Sequence, residues 1–135
     1  GYMQHKTGTE NNDFSELKEM YLEPSSNVRW HKKVCVLTNR SVYSAANAFA
    51  VWMHELPNVT LVGDHTGGGS GMPLNNSLPN GWSVRFSACP MYDNQKQQTE
   101  FGIDPDVKVS LNYDLTYGDK PKDDIIEAAR QLLVK

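Results

Sequence analysis

From residue 34 onward the hydrophobic positions fall into runs of two kinds. Val34-Cys35-Val36-Leu37-Thr38 and Val59-Thr60-Leu61-Val62-Gly63 are short, continuous and rich in β-branched residues, the pattern of strands covered on both faces. Between them, from Ser44 to Leu56, lies a longer segment apolar nearly all round, which predicts a buried helix stopped by Pro57-Asn58. Asn39-Arg40-Ser41 marks the turn into it. Strand, helix and strand in this order predict a βαβ unit, with parallel strands and a right-handed crossover. The core is therefore expected to be α/β.

The polar punctuation supplies the rest of the outline. Thr66-Gly67-Gly68-Gly69-Ser70-Gly71 is a glycine-rich loop directly after the second strand. Leu78-Pro79-Asn80-Gly81-Trp82-Ser83-Val84-Arg85-Phe86 carries an Asn-Gly step between apolar positions, which predicts a hairpin hung on the core. A turn-rich stretch from Glu100 leads to a short predicted strand, Val107 to Leu111. Asp123 to Leu133 reads as a closing amphipathic helix, with Ile125, Ile126, Ala129, Leu132 and Leu133 on its inner side. Residues 1–33 are a polar lead-in, where Asp13 is placed to cap a short helix running through Met20 and ended by Pro24-Ser25-Ser26-Asn27.

Composition narrows the classes. A length of 135 residues fits one domain, and the lead-in with the core of 34–135 is taken as a single unit. A net charge of −3 offers no basic field, so neither nucleic acid nor an anionic membrane surface is expected as a partner. No apolar stretch approaches the length of a membrane span, and the opening residues read as the middle of a protein. Cys35 and Cys89 sit in apolar runs and are expected as buried free thiols.

Candidate chemistry centres on Ser44, which opens the predicted helix straight after a strand. Unsatisfied N–H groups and the positive end of the helix dipole gather there and can stabilise an oxyanion. A serine at a helix start is equally an ordinary cap, and Ser41 competes for that place. Position alone leaves both readings open.

Four stretches in order break the tie. Val36-Leu37-Thr38-Asn39 with Tyr43-Ser44-Ala45-Ala46 and Phe49-Ala50 comes first, followed by Val62-Gly63-Asp64-His65-Thr66-Gly67-Gly68-Gly69. Leu78-Pro79-Asn80-Gly81-Trp82 and Glu100-Phe101-Gly102-Ile103-Asp104-Pro105-Asp106-Val107 complete the series. Together they resemble the catalytic domain of the C-terminal-processing and tricorn-core serine peptidases. The resemblance implies the C-terminal part of a ClpP/crotonase-like domain that cleaves protein or peptide substrates through an acyl-enzyme on Ser44. It also implies that the Ala45 N–H is one oxyanion donor, that the Thr66, Gly67, Gly68 and Gly69 loop lines the cleft, and that no metal or organic cofactor takes part. The processing branch places a catalytic lysine where this chain has Gly69, which directs the resemblance to the tricorn-like branch. There Glu100 would orient a histidine lying upstream of this chain, together with a second oxyanion glycine and, in many members, a PDZ module. The isolated chain is then expected to be inactive. The resemblance favours an extracytoplasmic setting. Asn47 stands where the family usually has glutamate, and a packing or cap role is expected for it.

Other candidates are weaker. His54-Glu55 begins like a zinc-helix motif, but Asn58 stands where the second histidine should be and Pro57 breaks the helix. Ser70 is followed by Met72-Pro73 instead of a helix, and the glycine loop lacks the Lys-Ser/Thr of a phosphate cradle. His65 is the in-chain histidine nearest to serving as a base. The rival class is a non-catalytic ligand- or peptide-binding module on the same fold. Apolar surface at an open sheet edge would favour self-association.

Overall fold

The computed structural model describes residues 1–25, 27–112 and 121–134, and within these the chain is mixed α and β. Three strands, β1 (Tyr2–Met3), β2 (Lys18–Glu19) and β3 (Val34–Thr38), precede helix α1 (Ala45–His54). Next come β4 (Val59–Gly63), β5 (Met72–Ser77), β6 (Ser83–Cys89), β7 (Met91–Tyr92) and β8 (Val107–Lys108). Helix α2 (Asp124–Val134) closes the described chain.

The centre is a parallel sheet in the order β3-β4-β8, with Val36 opposite Leu61 and Val62 opposite Val107. Both helices pack on it, which is why β4 carries no polar alternation: Leu61 and Val62 point to opposite faces and both are fully buried. Val62 meets Ile125 and Ala129 of α2, with Cys35, Ala128 and Leu132 packed around them. Asp123 starts that helix by accepting the N–H groups of Ile125 and Ile126 at 2.9 and 3.0 Å, an N-cap contact of about 1 kcal/mol. Of its expected inner side, Ile126 and Leu133 face solvent instead, because one stripe suffices against a flat sheet.

Three further expectations change. The segment 13–20 is not helical: the Asp13 carboxylate accepts the Glu10 N–H behind it, and Lys18–Glu19 pairs antiparallel with Tyr2–Met3. Backbone pairing thus takes the place of a cap, giving a small sheet β2-β1-β7; Ser26, in the stretch expected to end that helix, lies outside the described residues. Helix α1 is buried on one side only; Phe49 is 53% exposed, and the inner side, with Ala50 and Val51, includes the fully buried polar Asn47. Strand β8 stops at Lys108, although Val109 still donates to the Gly63 carbonyl at 2.7 Å. Both cysteines are free, Cys89 buried and Cys35 half-buried against α2.

Strands β5 and β6 form a separate antiparallel pair in which Leu74 faces Phe86 and Asn75 faces Arg85. The pair is closed over 78–82 by the Leu78 N–H on the Trp82 carbonyl at 2.7 Å, with Gly81 at φ 83°.

Candidate functional site

Ser44 lies on the turn between β3 and α1, and its backbone is strained. With φ 57° and ψ −122° it occupies a region open to glycine and disfavoured for any residue with a Cβ, at a cost of about 1–3 kcal/mol. Its N–H donates to the Gly68 carbonyl at 2.8 Å, and its own carbonyl accepts the Ala48 N–H at 3.0 Å. The side chain caps no backbone group and is exposed, so the cap reading fails on geometry. Ala45 follows as the first residue of α1, where the N–H groups have no partner inside the helix. A hydroxyl presented on a sharp strand-to-helix turn beside such donors is the geometry by which α/β hydrolases expose a nucleophile.

The glycine loop is pressed against this turn. Gly67 donates to the Val42 carbonyl at 2.8 Å and Tyr43 bridges Gly68 in parallel register, so the approach to Ser44 is strand-like. On its other side the loop meets the turn at 99–103, where Gly69 donates to the Glu100 carbonyl at 2.7 Å. Gly68 has φ 78°, and a Cβ there would overlap the backbone of Glu100 to Gly102; a Cβ on Gly69 would overlap the Tyr43 ring. A single peptide, Gly68–Gly69, therefore joins Ser44 through its carbonyl to Glu100 through its N–H. The Glu100 carboxylate accepts the Gly71 N–H and the Ser87 hydroxyl, each at 2.9 Å. A carboxylate offers about four lone-pair sites, so these two donors leave room for a third.

Asn47, one turn after Ser44, is 0% exposed and binds this arrangement from beneath. Its Nδ2 donates to the Ser70 hydroxyl and to the Thr99 carbonyl, the latter at 3.1 Å. Its Oδ1 accepts the Thr66 hydroxyl, whose oxygen in turn accepts the Ile103 N–H at 2.8 Å. Sequence reasoning expected a packing or cap role here and missed the network. A signal existed in the polar residue within an apolar helix, since a buried amide needs partners.

His65 is committed elsewhere. Nδ1 lies 2.8 Å from Asp104 Oδ1 and Nε2 lies 2.9 Å from the Phe101 carbonyl oxygen. Both partners are acceptors, so the charged ring, with a proton on each nitrogen, is the form that satisfies both. The Asp104 bond chiefly, then the Phe101 carbonyl, raises the His65 pKa against the opposing effect of burial, and the His65 bond holds Asp104 below its ordinary value. His54 pairs with Asp106 at 2.9 Å, and Asp106 also accepts the Leu61 N–H at 2.8 Å. Burial works to raise the Asp106 pKa, but these two hydrogen bonds outweigh it and the carboxyl is lowered. His5 Nδ1 faces Cys89 Sγ at 3.6 Å. A polar cavity of about 500 Å³ between His54, His65, Asp93 and Asp104 lies along the later turns of α1 and does not include Ser44. Among the described residues no three His, Cys, Asp or Glu side chains stand together as metal ligands, and no helix is long and apolar enough to cross a membrane.

The chain is thus a mixed α/β domain with an exposed, strained serine where strand gives way to helix. It belongs to peptidase family S41, whose profile matches residues 1–109. Among solved structures, a candidate peptidase from Parabacteroides merdae is 54% identical over 100% of this chain, with a TM-score of 0.92. The match spans 42% of that protein's chain. Mature CPAF complexed with lactacystin shares the fold at a TM-score of 0.66 and 21% identity, over 81% of this chain and 21% of its own. A lipoprotein from Streptococcus agalactiae does so at 0.56 and 19%, over 78% and 32%. A comparison with curated protein sequences finds no match.

Proposed function

We propose that these residues form the C-terminal part of the catalytic domain of a serine endopeptidase, with a ClpP/crotonase-like α/β fold and Ser44 as its nucleophile. The observation that carries this is the backbone of Ser44, held at positive φ with its hydroxyl exposed and unused as a cap. Strain of this kind persists only where surrounding structure enforces it, and it gathers where chemistry is done.

In this reading the Ser44 hydroxyl attacks the substrate carbonyl, and a histidine supplied by polypeptide outside this chain takes its proton and later gives it to the leaving amine. The Ala45 N–H and the start of α1 receive the oxyanion. Glu100, joined to Ser44 through the glycine loop, has acceptor capacity left to orient that histidine and stabilise its charged form. Gly69 at the place of a lysine favours the tricorn-like branch over the processing branch. Protein or peptide is the substrate, and the Thr66–Gly69 loop forms one wall of the cleft.

The test is labelling of the full-length protein with a phosphonate probe for nucleophilic serines, followed by peptide mapping. The adduct should fall on Ser44, and Ser44→Ala should abolish it and lower turnover on the order of 10⁶-fold. An adduct on Ser41 or Ser70 would move the nucleophile. A folded protein with no adduct and no hydrolysis would make the chain a binding module.

A further inference from the structure

We propose that Asn47 is a positioning residue of this site, a side chain that fixes the nucleophile's helix, the glycine loop and the Glu100 turn relative to one another. The proposal rests on reading Ser44 as the nucleophile. Ser44 and Asn47 share the first turn of α1, three residues apart, so a constraint on Asn47 is a constraint on the helix start. The amide reaches both ends of the glycine loop, Thr66 through Oδ1 and Ser70 through Nδ2. A second Nδ2 contact at 3.1 Å holds the carbonyl of Thr99, the residue before Glu100.

This requires an amide. Ser70 also donates weakly to the Thr99 carbonyl at 3.3 Å, and the Thr66 oxygen is already accepting from Ile103. The position must therefore supply two donors on one side and an acceptor on the other, which asparagine does and neither aspartate nor leucine does. The three side chains of the network, Asn47, Thr66 and Ser70, are buried, so water cannot replace a lost contact. The loop carbonyl that receives the Ser44 N–H belongs to Gly68, midway between the two anchored ends, so releasing either end frees the contact that holds Ser44 at positive φ.

The experiment compares wild-type, Asn47→Asp, Ser70→Ala and Thr66→Val forms of the full-length protein by peptide hydrolysis, phosphonate labelling rate and thermal unfolding. Asn47→Asp keeps the shape and turns a donor toward Thr99 into a second acceptor. It should lower kcat by about 10²-fold, the effect of a small misplacement of reacting groups, with KM changed by less than about twofold. The labelling rate should fall with kcat. Ser70→Ala and Thr66→Val each remove part of the network and should lower kcat several-fold, so the proposal stays testable if Asn47→Asp fails to fold. Wild-type protein that is not labelled at Ser44 refutes the nucleophile assignment. Wild-type protein labelled at Ser44, with folded variants reacting at the wild-type rate, overturns the role of Asn47.

Discussion

The glycine loop and the hairpin that follows it reverse the usual rule of burial. Thr66 and Ser70, polar and glycine-flanked, are 0% and 6% exposed, whereas Trp82 and Phe86, aromatic and in or beside a strand, are 71% and 50% exposed. The loop can be buried because its polar groups find partners: Thr66 and Ser70 meet Asn47, and the Gly67, Gly69 and Gly71 amides meet the Val42 carbonyl, the Glu100 carbonyl and the Glu100 carboxylate. The hairpin has its two strands satisfied by each other, and its apolar face of Leu74, Val84 and Phe86 remains about half exposed. Hydrogen-bond satisfaction decides what can be enclosed, and apolarity alone does not enclose a side chain.

The largest effect that would sharpen this contrast is at Glu100, whose carboxylate sits where loop and hairpin meet. Glu100→Gln keeps one acceptor for the Gly71 N–H and should fold normally, yet on the proposed reading turnover should fall by up to about 10⁴-fold through loss of charge beside the proposed base histidine. Circular dichroism and peptide-hydrolysis kinetics check both halves. Unchanged kinetics would confine Glu100 to its contacts with Gly71 and Ser87.

A paired substitution probes the loop and hairpin directly. Gly68 and Gly81 have nearly the same φ, 78° and 83°, but a Cβ on Gly68 meets backbone and one on Gly81 meets open space. Alanine at Gly81 should cost only the left-handed conformation, about 1–2 kcal/mol. Alanine at Gly68 should add overpacking for a total of about 2–5 kcal/mol. Urea unfolding of the two variants measures the difference, and equal losses would mean that the loop is free to move away from Glu100.

The smallest effect is electrostatic. The His65–Asp104 pair secures the turn that the loop packs against. Because the His65 pKa is raised above 6.5, its stabilisation is complete below that pH and is lost as pH rises through the higher folded value. Because Asp104 is lowered below 3.8, its share is present above that pH and is lost as pH falls through the lower folded value. Hydrogen-exchange protection of the Gly102 and Ile103 amides, corrected for intrinsic rate, should therefore be flat between these limits and fall modestly on the alkaline side. A His65→Gln form should lose that alkaline step, and a step that persists would place its origin elsewhere.

What was legible in the sequence is what is decided locally. The continuous apolar runs at 34–38 and 59–63 are strands, and the segment after Ser44 is a helix. The lead-in misled because Asp13 has the chemistry of a cap in either direction, and only the distant pairing of β2 with β1 shows that it closes the turn behind it. Ser44 was visible as a residue but its φ was not, since the Gly68 carbonyl that fixes it lies a whole helix and strand further on. The network around Asn47, expected only to pack or cap, was hidden for the same reason. Its partners Ser70 and Thr99 stand 23 and 52 residues away, beyond the reach of any periodicity.

The positive φ at Ser44 also means that folding and chemistry favour different residues at one position. Glycine there would relax the turn and keep the Gly68 contact, and would remove the hydroxyl. On the proposed reading of Ser44 as the nucleophile, a descendant no longer selected for cleavage would gain stability from the very exchange that removes the nucleophile. On that same reading, a glycine at the place of Ser44 in a related sequence would mark a peptidase body retained for some other use.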